Sequence, residues 1–461
     1  MDTGRKTTGS PTRRPASGDE RGGRHVLRSR RRSVAPPYTR KSARRRDDNG
    51  TSLPDDALAG VFARLPHPAD VVRCAVTCAR WGRVVTTSAA AISRSLPPPV
   101  GRFLPQLAVG VFHLRKAGTT ARTRCTPAAP QPRFLAMASG RRLLGCETIP
   151  ASIGSFFDAL DGAVFDYSRP VASRNGRLVL ELRRETRADD VTLCVCSPMT
   201  GDAVVLPPLS GEDKPTDYGC ALLTGDDLHP NNPRRGTKSF QLLLVYNNRR
   251  RGFTALRCYC SDTGRWGAEA RSAVSVSDGE LRHIGGAAVL RGVAFWQLDH
   301  DALGVRLDAD DREEQAMGVL AATRLLGVSP DNRLFLVYLG MLGGDGTLVA
   351  KISYFDIPGG DGDDFQFQNG RKESSSDEEA ITVHHMKMNC RDLRTHKLRW
   401  IGEKNGLVLF TMGDGGGAHA LNLQEGTVEK LADEGHSWGN AVGFETDWAA
   451  YLSSIAHHPR N

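Results

Sequence analysis

The chain has 461 residues, 61 of them Lys or Arg and 52 Asp or Glu, and 39% are apolar. That length allows two or three domains, or one large β-domain with a smaller module, and the apolar share is ample for a core. The longest uncharged apolar run, at 334–342, falls far short of the roughly 18 residues a membrane-spanning helix needs, so a soluble protein is expected.

The positive charge is local. Residues 1–50 hold 15 Lys and Arg against 5 Asp and Glu, which leaves 46 against 47 for the rest. This arm is rich in Arg, Ser, Thr, Gly and Pro and cannot bury enough apolar surface to fold. Arg28, Arg30, Arg31 and Arg32 form one basic cluster; Arg40, Lys41, Arg44, Arg45 and Arg46 form a second. The pair resembles a bipartite nuclear-localisation signal, which implies a protein of the nucleus and cytoplasm. A solvated tail without an address is a second reading. An organelle transit peptide is a third, although the arm lacks an apolar face. Contact with nucleic acid would be non-specific, since no aromatic residue lies within either cluster.

Residues 53–85 read LPDDALAGVFARLPHPADVVRCAVTCARWGRVV. Pro54 suits a first helical turn, and Asp55 and Asp56 suit the positive end of the helix dipole. Leu58, Val61, Phe62 and Leu65 recur at i, i+3, i+4 and i+7, one apolar stripe. Pro66 and Pro68 are expected to end that helix and Asp70 to restart another. Val72, Ala75, Val76 and Ala79 continue the stripe, and Trp81 closes it. Some thirty residues in short helices cannot bury so many apolar side chains alone. The stretch is therefore either a cap on the domain that follows or a module completed by a partner.

The order Leu53-Pro54-Asp55-Asp56, Leu58, Phe62, Leu65-Pro66, Asp70-Val71-Val72-Arg73, Val76, Cys78 and Trp81 closely resembles the F-box. That resemblance implies docking to the Skp adaptor, and through it to a cullin scaffold, by Leu53, Pro54, Leu58, Phe62, Leu65, Val72, Val76 and Trp81. Two positions depart from the family: Gly60 stands where an acidic residue is common, and Ala79 where a basic one is. Gly60 within a helix costs ~1 kcal/mol relative to Ala. The module is placed at 51–90. Residues 91–101, with Pro97-Pro98-Pro99, read as a linker.

From 102 to 456 short apolar strands alternate with polar turns. Strands are expected at 176–182, 192–196, 203–206, 240–246 and 254–260. Later groups fall at 286–297, 325–328, 333–338, 348–357, 400–411 and 418–423. CVCSPMTG at 194–201 and CYCSDTG at 258–264 repeat one another. Repeated groups of antiparallel strands favour a β-propeller of open blade number, with a sandwich or irregular barrel as runner-up. The chain thus reads as mainly β with a small N-terminal helical module. NGRLVL…CSPMTGDAVVLPPL, AVLRGVAFWQL and GFETDWAAYLSSI also resemble the kelch-like associated domain of plant F-box proteins, though double-glycine signatures are mostly absent. Residues 358–380 read as a mobile loop, in which Ser374, Ser375 and Ser376 precede acidic residues and could be phosphorylated. Trp448, Tyr451, Leu452 and Ile455 share helical spacing and are expected to form a terminal helix docked on the β-domain.

No chemistry is evident. Cys74 and Cys78, Cys194 and Cys196, and Cys258 and Cys260 each share a face, but none has the C-x-x-C spacing of a zinc site. With no signal peptide evident, the ten cysteines are read as free thiols in a reducing compartment. His384-His385 and His457-His458 make no ligand set. No P-loop, G-x-S-x-G elbow, H-E-x-x-H or dinucleotide fingerprint occurs. No metal or cofactor is implied. The reading that follows is a non-catalytic substrate receptor of a Skp–cullin–F-box ubiquitin ligase, with an unknown client held by polar loops at 212–217, 226–235 and 308–314. A propeller lectin or enzyme with a helical cap, and a nuclear nucleic-acid-associated protein, stand as alternatives.

Overall fold

Four short helices open the part of the chain that the computed structural model describes: residues 53–65, 68–95, 102–115, 131–144, 152–157, 160–182, 190–209, 215–228, 239–298, 301–306, 314–318, 324–342, 347–355, 378–387, 395–413, 416–433, 438–446, 448–449 and 452. Helix α1 (Asp55–Phe62) starts directly after Pro54 and carries its two acidic residues in the first turn. Helix α2 (Pro68–Thr77) begins at Pro68. That proline was expected to end the preceding helix; it opens the next one, where a missing N–H is no loss. Cys78, in an extended conformation, separates α2 from α3 (Ala79–Thr87). Helix α4 (Ala89–Ser95) occupies ground read as linker from residue 91. Its run of alanines favours helix, and Ile92 finds a core to enter. That core joins Leu58, Phe62, Val71, Ala75, Val84, Val85, Ala89 and Ile92. The Trp81 ring meets Phe62 edge-on at 5.5 Å.

The β-domain follows in the same unit as the helices, Leu53–Asn461. Strands β1 (Ala108–Arg115) and β2 (Arg133–Ala136) come first. Five sheets succeed them in chain order. The first holds β3 (Arg169–Arg174), β4 (Arg177–Glu181), β5 (Leu193–Ser197) and β6 (Asp202–Val205). The second holds β7 (Tyr218–Thr224), β8 (Phe240–Asn248), β9 (Phe253–Cys260) and β10 (Arg265–Trp266), with β11 (Ala270–Arg271) also on β9. The third holds β12 (Ala288–Leu290), β13 (Val293–Gln297), β14 (Asp301–Arg306) and β15 (Glu314–Gly318). The fourth holds β16 (Arg324–Val328), β17 (Leu334–Leu342), β18 (Thr347–Phe355) and β19 (Glu378–Lys387). The fifth holds β20 (Lys397–Ile401), β21 (Leu407–Met412), β22 (Gly417–Asn422) and β23 (Thr427–Ala432). The last strand, β24 (Trp438–Glu445), returns to pair with β1 and completes a sixth sheet, β2-β1-β24.

These sheets are the six blades of a propeller. Strands β24, β3, β7, β12, β16 and β20 lie each beside the next, and β20 lies beside β24, so the ring closes. Six apolar cores separate the blades, one at each junction. Alternation along a strand assigns its side chains: Leu178, Leu180, Cys194 and Cys196 face the sixth blade, while Val179, Leu193 and Val195 face the second. Both faces of a blade are thus buried, which is why these strands read as continuous apolar runs. Burying each such side chain contributes roughly 1.5–3 kcal/mol.

Turn chemistry fixes the hairpins. Between β3 and β4, Asn175 and Gly176 have φ of 48° and 73°, the left-handed pair of a two-residue turn. The repeated segments noticed in the sequence fall at equivalent places, between the third and fourth strands of the first two blades. There the Gly201 and Gly264 N–H groups each donate to the carbonyl four residues back, at 2.9 Å.

Because β1 and β24 run antiparallel, Ala108 lies opposite Glu445, and the chain enters and leaves the propeller at one end of its axis. The Gly176 N–H donates to the Glu445 carbonyl at 3.1 Å, which places the β3–β4 turn at that same end. We call it the proximal end.

Candidate functional site

Two places gather chemistry: the outer surface of the helical module, and a buried charged cluster at the proximal end of the propeller axis.

On the module, the stripe seen in the sequence divides. Leu58 and Phe62 are 6% and 2% exposed and belong to its core, and Leu65 and Trp81 are half-buried beside it. Val72 is half-buried between the module and the β-domain, touching both cores. Leu53, Pro54 and Val76 face outward, Leu53 and Val76 each 53% exposed. Val61, which periodicity assigned inward with Leu58, is 47% exposed. Leu53, Val61 and Val76 are three of the six exposed large apolar side chains among the described residues, so the apolar surface is concentrated on this small module. Arg80 braces its edge: Nε donates to Asp55 at 3.0 Å, and the guanidinium also donates to the Leu53 carbonyl. The family's basic position, vacant at Ala79, thus has a cation one residue on. Gly60 is exposed, with open space where a side chain would stand.

At the proximal end, Arg174, the last residue of β3, donates to both oxygens of Asp227 and, through Nε, to Glu403 at 2.8 Å. Asp227 also accepts from the Thr224 N–H at 2.8 Å and its hydroxyl at 3.1 Å. The second Glu403 oxygen accepts from the Val289 N–H of β12 at 3.2 Å. Glu445, 2% exposed, accepts from the Lys404 N–H at 3.1 Å and from Asn405 Nδ2 at 3.0 Å. Residues of five blades therefore meet here. Burial opposes charge on Arg174, but Glu403 and Asp227 hold it firmly cationic. Burial likewise pushes the Asp227 carboxyl up, and Arg174 more than offsets this, leaving it below the usual range. Burial pushes Glu445 up to about 7; Lys404 and Arg174 offset this only in part, and Glu403 reinforces it. This cluster ties blades together, and no sequence motif announced it. A signal was present in retrospect: Arg174-Asn175-Gly176 and Glu403-Lys404-Asn405-Gly406 are charged hairpin turns ending in Asn-Gly, and both close innermost hairpins.

The remaining candidates are dispersed. Of the three polar connections, residues 212–214, 229–235 and 308–313 lie outside the described residues. Cys194, Cys196 and Cys220 are buried, and burial raises the thiols of Cys196 and Cys220. Among the described residues no three His, Cys, Asp or Glu side chains are grouped as a metal site. No helix among them is long and apolar enough to cross a membrane. Both arm clusters (Arg28, Arg30, Arg31, Arg32; Arg40, Lys41, Arg44, Arg45, Arg46) and Ser374, Ser375 and Ser376 lie outside the described residues.

Residues 51–89 match the protein-family model described as F-box-like. The chain is thus a propeller carrying an F-box-like module. No curated protein matches it. Among solved structures it is similar to TolB from Acinetobacter baumannii, at 10% identity and a TM-score of 0.41, over 80% of this chain and 73% of that one. It is also similar to the β-propeller domain of Cps50 (Swd1) from Myceliophteria thermophila, at 10% identity and a TM-score of 0.31, over 57% of this chain and 86% of that one. A third is an α-L-arabinanase from Penicillium chrysogenum, at 11% identity and a TM-score of 0.30, over 61% and 82%.

Proposed function

We propose that this protein is the substrate-receptor subunit of a Skp–cullin–F-box ubiquitin ligase. The observation that carries this reading is the F-box-like match at 51–89 on a module whose outer surface keeps Leu53, Pro54, Val61 and Val76 exposed. That surface docks the Skp adaptor and, through it, the cullin scaffold. The propeller holds a client protein on its loops. The receptor makes and breaks no bonds; it turns the encounter of client and ubiquitin-loaded enzyme into an effectively intramolecular step. The resemblance of NGRLVL…CSPMTGDAVVLPPL, AVLRGVAFWQL and GFETDWAAYLSSI supports a finer assignment to the kelch-like associated domains of plant F-box proteins. The arm clusters act as a nuclear address, and the protein works in nucleus and cytoplasm.

Co-purification with the Skp adaptor tests this. Changing both Leu53 and Pro54 to Ala should sharply weaken capture while the propeller stays folded, since both side chains are exposed. Undiminished capture by that double variant would sink the assignment, and a propeller lectin or enzyme would bind no adaptor at all.

A further inference from the structure

The helical module is not completed by its own stretch of sequence. Leu452, from the far end of the chain, is 0% exposed and sits in the same core as Leu58, Phe62, Val84 and Ile92. Four residues earlier, Trp448 packs against the apolar junction between the sixth and first blades, in the cluster of Phe444 and Val109. Trp448 and Leu452, four residues apart in sequence, thus take neighbouring parts of the chain to the propeller and to the module. Val72 of α2 makes the reciprocal contact, reaching both cores. The chain entering and leaving the propeller is tied within the propeller itself. The Leu104 N–H donates to the Lys404 carbonyl at 2.8 Å, and the Thr446 N–H donates to the Leu107 carbonyl at 2.9 Å. Both ties sit at the proximal end, next to Glu403 and Glu445. Neither bond reaches the module's helices; Leu452 and Val72 are the contacts that join the module to the propeller.

We infer that Leu452 is a positioning residue that locks the F-box-like module to the propeller at one fixed angle. For its use in the cell the inference rests on the receptor reading: ubiquitin then reaches only those client lysines that the fixed geometry presents. For its geometry it rests on the contacts alone.

The test uses the full chain, labelled at the exposed positions Arg83 and Asp262 with a donor–acceptor pair through non-cysteine chemistry. Distance distributions are compared for the wild type, Leu452→Ala and Leu452→Met, with amide exchange of α1 to α3 read in parallel. The wild type and Leu452→Met should give one narrow distribution. Leu452→Ala should broaden it at least twofold with the helices still protected, and that result supports the lock. Faster exchange in the helices with a distribution that stays narrow makes Leu452 a part of the module's core only and overturns the lock. A Leu452→Ala protein as narrow and as protected as the wild type overturns it. If the wild-type chain captures no Skp adaptor, the receptor reading fails, and the distance data still judge the lock.

Discussion

Replacing Glu445 with Gln should make the protein more stable in alkaline than in mildly acidic buffer, relative to the wild type. The Glu445 carboxyl is pushed from an ordinary 4.5 up to about 7 by burial, with Glu403 adding repulsion and Lys404 opposing it. Below 4.5 the proton is bound in both folded and unfolded chains, and no penalty exists. As pH rises through 7 the folded chain holds the proton more tightly than the unfolded one, so stability falls with pH. One pKa unit corresponds to about 1.4 kcal/mol, so the full loss is about 3 kcal/mol. About 2 kcal/mol of it falls between pH 5.5 and pH 8. Gln keeps an oxygen to accept from the Lys404 N–H and Asn405 Nδ2 but carries no charge. Urea unfolding followed by tryptophan fluorescence, for both proteins at both pH values, gives the double difference. Other titrating groups act equally on the two proteins and cancel. The variant should gain about 2 kcal/mol more over the wild type at pH 8 than at pH 5.5. An equal difference at the two pH values, or a reversed one, would refute the reasoning.

Four further outcomes are expected, three of them from the same contacts. Phe62→Ala removes a ring that is 2% exposed and should cost about 3–5 kcal/mol, abolishing adaptor capture by unfolding the module. Val76→Asp, at a position 53% exposed, should abolish capture with the helical signal in circular dichroism intact. Arg174→Met leaves the Asp227 and Glu403 carboxylates buried without their cation and should destabilise the propeller by about 3–5 kcal/mol, seen as a lowered melting temperature. Alanine at Arg28, Arg30, Arg31, Arg32, Arg40, Lys41, Arg44, Arg45 and Arg46 together should move a fluorescent fusion out of the nucleus, and an unchanged distribution would remove the address.

Much of the local structure was legible because the punctuation is strong. Pro54 with Asp55 and Asp56 marked the start of α1 to within one residue: Pro54, read as part of the first turn, caps a helix that begins at Asp55. Arg291-Gly292, both at positive φ, parts the two strands expected at 286–297; Asn175-Gly176, also at positive φ, opens the strand expected from 176, whose hairpin partner β3 was not foreseen. Where propensity alone spoke, the reading slipped. Pro68 was read as a stop because a proline cannot sit inside a helix; the same property makes it a good first residue. Val61 fell on the apolar stripe, yet a short helix in a small module has too little core to cover the stripe's full width. Periodicity reports which side a residue takes, and only the number of neighbours available decides how deep it goes.

The closing elements were illegible for a physical reason. Strand β24 reads WGNAVGFE, and its glycines look like breaks in a strand pattern. At Gly443 a Cβ would stand 2.1 Å from the Trp400 ring, so the glycine is what lets β24 come close to the fifth blade. Strand β7, YGCALLT, is buried throughout, and a run with no polar alternation cannot be told from a helix by period. The terminal segment was legible in kind only. Trp448 docks on the β-domain as its spacing implied, whereas Leu452 enters the helical core. No local signal could have shown that contact, because it follows from ring closure. Once β24 pairs with β1, the two ends of the propeller emerge together. The residues after β24 then have the helical module as their nearest apolar neighbour. The same closure brings Glu445 onto the Lys404 and Asn405 turn, so the proton site and the buried leucine are both products of a pairing between strands at opposite ends of the sequence.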